Sequence, residues 1–286
     1  MSKTEHGTFE APDDLELFYR VWFPDTLPEG KKTKAKNSVL VFIHGMAEHC
    51  GRYEFPIQYF TERGYTAYAM DLRGHGDSKG RRGFALSMNQ ILEDIRSFLN
   101  LVKKKEKNKK VFLIGHSFGG QLVLNYGAMH SNHVDGILAS SPNVRLKLAV
   151  PKIKLLLAPL LAKVWPTLAL GNDVDAKGLS HDPQVVRDYQ EDKKVFHTIT
   201  TGLGNIILQN QQKMDLLAAN FQVPCFLMHG TEDPICDPEG TRDFFKKIPA
   251  KDKTIKLYPG FFHEIFNEIG KEKVFKDMES WLKERA

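Results

Sequence analysis

Six short apolar runs recur along this chain, at Val39 to His44, Tyr65 to Met70, Val111 to Gly115, Gly136 to Ser140, Cys225 to His229 and Thr254 to Tyr258, each bounded by Gly, Pro, Asp or Ser. Runs this short without polar alternation read as strands buried on both faces. Helical spacing fills most of the intervals, near Tyr53 to Arg63, Ser87 to Lys104, Phe118 to His130, Glu239 to Lys247 and Lys271 to Glu284. Strand and helix in alternation predict an α/β fold, a mostly parallel central sheet with helices on both faces. A chain of 286 residues buries about three quarters of its extended surface, so such a core needs no disulfide staples. Leu15 to Phe23 reads as part of an added N-terminal hairpin, and Leu27 to Asn37 as an exposed linker.

The alternation breaks once, between Pro142 and Phe221, where prolines punctuate helical apolar spacing. The expected organisation is a core formed by residues 1–142 and 206–286, interrupted at 143–205 by a helical insertion that stands over the strand ends as a cap or lid. Within it, Ile153, Leu156, Leu157, Leu160, Leu161 and Val164 form an apolar stripe with Lys154 and Lys163 off it. In a lid, that stripe predicts an interfacial helix that admits an acyl chain from a membrane.

Composition excludes several classes. Three cysteines, Cys50, Cys225 and Cys236, make neither a disulfide framework nor a CxxC pair, which argues for a reducing compartment and no structural metal. The net charge of +5 is concentrated in two lysine runs, 31–36 and 103–110, which read as solvated loops; with no recognition motif beside them, nucleic acid is not an expected partner. The N-terminus has no apolar stretch, so no secretory signal is expected.

The pattern GxSxG occurs twice, and context separates the copies. Ser117 follows the run Val111 to Gly115 and precedes a helical pattern, the strand-turn-helix setting of a nucleophile elbow. Ser78 lies in a Gly-rich charged stretch and reads as a loop residue. A serine hydroxyl needs a base, and the base a carboxylate to fix its tautomer. Asp233 and His263 each follow the end of a later strand, on the side where open α/β sheets bind ligands. Glu232 and Asp237 are the rival acids. Two backbone donors should hold the oxyanion, Phe118 after the nucleophile and Met46 in the loop after the first buried strand. His263-Glu264 misses the HExxH zinc pattern by its second histidine, and no phosphate-binding Gly loop occurs.

These residues resemble the monoacylglycerol lipase and lysophospholipase group of α/β-hydrolases. The matching blocks are His44 to His49 with Gly51-Arg52-Tyr53, Asp71 to Ser78, Gly115 to Gly120, Leu179-Ser180-His181-Asp182-Pro183 with Tyr189, and the Asp233 and His263 segments. The resemblance implies a serine hydrolase, with no cofactor or metal, that releases fatty acid from a monoacylglycerol through an acyl-enzyme. It implies that Glu48, Arg52 and Tyr189 lie near the polar glycerol end of the substrate. Phe118 stands where the family usually has Met, which keeps the backbone donor and narrows the acyl passage. Cys236 matches a cysteine near the site in some relatives. Lysophospholipase, general carboxylesterase and thioesterase are the neighbouring activities, and a non-catalytic lipid binder is the reading from another class. A cytoplasmic monomer or homodimer, peripheral on membranes or lipid droplets through its cap, is the expected setting.

Overall fold

A computed structural model describes residues 3–24 and 35–286. Most of the expected linker, with Lys31, Lys32 and Lys34 of the first basic run, lies outside the described residues. Among those described, one eight-stranded sheet runs in the order β1 (Thr4–Glu10), β2 (Glu16–Trp22), β4 (Thr66–Met70), β3 (Ser38–Ile43), β5 (Lys110–His116), β6 (Gly136–Ser140), β9 (Cys225–Gly230), β10 (Lys253–Tyr258). From β4 to β10 every neighbouring pair is parallel, whereas β1 with β2 and β2 with β4 are antiparallel.

Strand β3 shows why the apolar runs are unbroken. Val39, Val41 and Ile43 feed the core under α2 (Met88–Lys105), α3 (Phe118–Met129) and α8 (Pro238–Lys247), while Leu40 and Phe42 feed the core under α1 (Glu54–Thr61) and α9 (Glu272–Lys283). Each such side chain contributes about 1.5–3 kcal/mol by leaving water. Helix α2 begins where the Ser87 hydroxyl accepts from the Gln90 amide, and Lys103 to Lys105 lie at its negative end. The first strand escaped sequence reading because Thr4–Glu10 is polar and, at the sheet edge, mostly exposed.

Between β6 and β9 the chain forms α4 (Lys152–Val164), α5 (Pro183–Glu191), α6 (Thr201–Gln211) and α7 (Met214–Ala219), with a ribbon of β7 (Ala169–Gly171) and β8 (Thr198–Thr200). The boundary expected at Asn205 falls inside α6, because the apolar spacing of Leu203 and Ile207 carries that helix through it. This inserted segment is tied to loops that follow the strand ends. Phe196 N–H donates to Ala47 O at 3.0 Å, Thr200 N–H to Gly83 O at 3.3 Å, and Glu264 N–H to Leu179 O at 2.8 Å.

Candidate active site

Strand β5 ends at His116 and α3 starts at Phe118, so Ser117 is the whole turn. It sits at φ 53° and ψ −116°, a conformation that persists only where surrounding bonds impose it. They do: Ser117 N–H donates to Ser140 O at 3.0 Å, and its carbonyl accepts from Gln121 and Asn143, each at 2.9 Å. The glycines on either side are demanded by close approach. A methyl on Gly115 would overlap the Gly119 carbonyl, and one on Gly119 the carbonyl of Ile43. The Phe118 amide, first of its helix, has no intrahelical acceptor. Its ring is 1% exposed and packs into the core instead of lining the passage, so the expected narrowing does not occur.

Of the candidate acids, Asp233 is the one that meets His263. His263 Nδ1 donates to Asp233 Oδ2 at 2.7 Å, and both side chains are buried. Asp233 Oδ1 accepts from the Ile235 and Cys236 amides at 2.8 and 2.9 Å, and Oδ2 also accepts from His229 Nε2 at 3.0 Å. His229, not singled out in the sequence, is thus a second imidazole on the acid, with Nδ1 on the Thr241 hydroxyl at 2.7 Å. Its signal was a polar residue inside an otherwise apolar strand end. Glu232 is exposed, and Asp237 caps α8 through the Glu239 amide and pairs with Arg145. Burial alone would raise the Asp233 carboxyl, but the positive charge and donors of His263 and His229 hold it well below the ordinary carboxylate range. Burial likewise works against a charged His263, yet the Asp233 carboxylate outweighs it and the imidazole is raised above the usual 6.5.

His116, next to Ser117 in the chain, and Cys236 both stand beside His263. The rings of His116 and His263 stand 4.7 Å apart, and burial together with His263 drives His116 down to about 4, keeping it neutral. Cys236 lines the same cavity as Ser117, and its sulfur lies within 4.8 Å of the ligating atoms of Asp233 and His263. Among the described residues these three are the one cluster with the spacing to hold a metal ion. Both Asp233 oxygens are engaged in hydrogen bonds to protein donors.

The loop after β3 is shaped by two buried groups. Leu72 N–H donates to His44 Nε2 at 2.9 Å, which leaves the proton on Nδ1 to donate to Gly45 O at 2.7 Å. Glu48 Oε1 accepts from the Gly45 amide at 2.5 Å and the Tyr53 hydroxyl at 2.7 Å. Its other oxygen takes Arg52 at 2.8 Å, and Arg52 holds Glu264 in a fork at 2.7 and 2.9 Å. Burial opposes charge on Glu48, but Arg52 keeps its carboxyl down at about 2. Tyr189 covers the guanidinium at 4.8 Å, and Asp192 accepts from His49 Nε2 at 2.7 Å. The three residues expected at the glycerol end are therefore gathered together, but around one another: Glu48 and Glu264 share Arg52, Tyr189 covers it, and none of the three lines the cavity beside Ser117.

That cavity, of about 400 Å³, is bordered by Ser117, Met46 and Cys236 and walled mainly by aliphatic side chains including Leu148, Ile199, Leu208 and Ile235. Two larger clefts, of about 670 and 620 Å³, contain no residue of the serine, acid and histidine group. Of the α4 stripe, Ile153, Leu157 and Leu161 line the cavity, Ile153 while 59% exposed, and Leu156, Leu160 and Val164 are 75%, 58% and 73% exposed. Ser78 is a structural residue, its hydroxyl donating to Asp71 O at 2.6 Å and accepting from Phe18 N–H at 2.8 Å.

Residues 34–270 match the family described as serine aminopeptidase, S33. A monoacylglycerol lipase of Mycolicibacterium smegmatis is 32% identical over 98% of this chain and 97% of its own length. An uncharacterized abhydrolase domain-containing protein of Dictyostelium discoideum is 34% identical over 96% of this chain, which spans only 28% of that relative. The crystal structure of a soluble variant of Saccharomyces cerevisiae monoglyceride lipase, in complex with a substrate analog, superposes with a TM-score of 0.88 at 27% identity, over 100% of this chain and 96% of that one.

Proposed function

The chain belongs to the serine aminopeptidase S33 family and has the α/β-hydrolase fold, and from that premise we propose that it is a serine hydrolase cleaving monoacylglycerols to fatty acid and glycerol. The observation that carries the reading is the aliphatic cavity of about 400 Å³ opening beside the Ser117 hydroxyl. Among the described residues its one acidic lining residue is Asp173, which is paired with Lys154 at 2.5 Å.

In this reading Ser117 Oγ attacks the acyl carbonyl carbon as His263 Nε2 takes its proton, and Asp233 holds Nδ1–H and steadies the imidazolium. The Met46 and Phe118 amides receive the oxyanion. Collapse expels the glycerol oxygen, protonated by His263, and water then repeats the sequence on the acyl-enzyme. Glu48, Arg52 and Tyr189 fix the two loops that flank Ser117 and His263, with any contact to the glycerol end secondary to that task. Segment 143–205 serves as the cap, and the outward row Leu156, Leu160 and Val164 meets the lipid surface. Among the described residues no helix is long and apolar enough to cross a membrane.

Side-by-side hydrolysis of a monoacylglycerol, a diacylglycerol, a lysophospholipid and a short soluble ester tests the substrate; faster turnover of the lysophospholipid than of the monoacylglycerol would overturn it. Leu156→Ser with Leu160→Ser should slow micellar esters and spare the soluble one. Equal loss on both would reject the interfacial role.

A further inference from the structure

The segment Leu179-Ser180-His181-Asp182-Pro183, one of the blocks that carry the resemblance, has no part in the chemistry so far described, yet it lies against the loop that carries His263. Where the two meet stands Glu268, 1% exposed, which receives hydrogen bonds from both sides. From the inserted segment, Oε1 accepts the His181 amide at 3.0 Å and the Ser180 hydroxyl at 3.3 Å, and Oε2 accepts His181 Nδ1 at 2.9 Å. From the histidine loop, Oε2 accepts the Phe262 amide at 3.1 Å and Oε1 the Ile269 amide at 2.8 Å. The His181 ring stacks on Phe262 with centroids 3.7 Å apart, and the Ser180 hydroxyl shares its one hydrogen between Glu268 and Asn267 O, the nearer at 3.0 Å.

Phe262 immediately precedes His263. The backbone on the other side of His263 is held too, since Glu264 N–H donates to Leu179 O at 2.8 Å while the Glu264 carboxylate is forked by Arg52. A buried carboxylate with this many donors is an organising centre whose removal leaves several N–H groups unpaired. We infer that Glu268 is a positioning residue: it clasps segment 178–182 to the loop 262–269, so that docking of the inserted segment and alignment of His263 toward Asp233 and Ser117 are one event. When that segment lifts, the His263 and Glu264 amides lose their acceptors Gly178 O and Leu179 O, Phe262 loses the stacked His181 ring, and the imidazole loses its register. The inference rests on the reading of His263 as the general base.

The test uses the full-length enzyme with a soluble short-chain ester, so that the lipid surface plays no part. Glu268→Gln keeps the size of the side chain but turns an amide N–H toward donors that need an acceptor. It should lower kcat about 10- to 100-fold, the loss expected from misplacing a reacting group by up to about 1 Å, with KM changed by less than about 2-fold. Fluorophosphonate labelling of Ser117 should slow in parallel, and the amides of 178–182 should exchange hydrogen faster. A folded Glu268→Gln enzyme with unchanged kcat, or one that loses kcat while exchange at 178–182 stays as in the wild type, overturns the inference. Should Glu268→Gln not fold, Ser180→Ala decides: a kcat loss with unchanged KM supports the clasp and no change refutes it. His263→Ala separates the two readings, since activity surviving there would sink the catalytic assignment itself, whereas its loss beside an active Glu268→Gln would sink the clasp alone.

Discussion

Replacing Asp233 by Asn is the sharpest probe of the catalytic assignment, because the structure shows why an amide is unable to substitute there. The carboxylate accepts four hydrogen bonds and has no donor to make: two backbone amides on Oδ1, His229 and His263 on Oδ2. An Asn keeps either the amide pair or the imidazole pair, and its NH₂ then opposes two donors whichever way it turns. Facing His263, it favours the tautomer with the proton on Nε2, the nitrogen that must stay free to take the Ser117 proton. Losing a hydrogen bond to a charged group removes about 1.5–3 kcal/mol, and leaving a buried donor unpaired costs about 1–3 kcal/mol more. The sum, about 2.5–6 kcal/mol, corresponds at about 1.4 kcal/mol per tenfold to a loss of about 10² to 10⁴ in kcat. The assay is kcat on a short soluble ester together with the rate of fluorophosphonate labelling at Ser117. A folded Asn variant that keeps a tenth or more of the wild-type kcat refutes the reasoning.

Acidification should reveal the same pair. His263 acts only when neutral and its imidazole is raised above 6.5, so kcat/KM should climb with pH along a limb centred above 6.5; a limb centred below that value would contradict the Asp233 contact. The linked stability runs the other way, since a raised folded value stabilises the protonated form; this share is fully present below the unfolded histidine's value and is lost as pH rises through the folded one. Gly119→Ala drives a methyl into the Ile43 carbonyl, a backbone atom that has no rotamer to escape into, so the variant should lose at least about 1–3 kcal/mol in denaturant melts; wild-type stability would mean the elbow is looser than described. Ser78→Ala removes one hydroxyl that makes two buried hydrogen bonds and should cost about 1–3 kcal/mol of stability while Ser117 labels at the wild-type rate; slowed labelling in a folded variant would reopen the choice between the two serines.

The sheet was legible because parallel strands buried on both faces need uninterrupted apolar runs, and β6 is bounded just where its run begins and ends. Helix ends were legible where a side chain makes the cap, as Ser87 does for α2. What stayed hidden lacks a periodic signature. Strand β1 is held by backbone pairing to β2 at an exposed edge, and β7 and β8 are three residues each with little burial. At the site, the order of Ser117, Asp233 and His263 was readable from strand ends, because chemistry on this fold collects there. His229 and Glu268 were not, since their roles come from pairings across 4 to 88 residues of chain that no local spacing announces. The resemblance implied that Glu48, Arg52 and Tyr189 lie near the glycerol end; the structure gathers them around one another, and which of their atoms remain free is set by tertiary pairing that no local spacing announces.

That companionship has an electrical side. Glu48, Arg52 and Glu264 form a sealed trio of two anions and one cation, leaving one surplus negative charge near the imidazole of His263. Both glutamates favour the protonated ring, in addition to Asp233. On the proposed assignment, the imidazolium formed midway through each turnover thus arrives in a field already tilted toward it, supplied by groups that act through space and not through bonds to the reacting atoms.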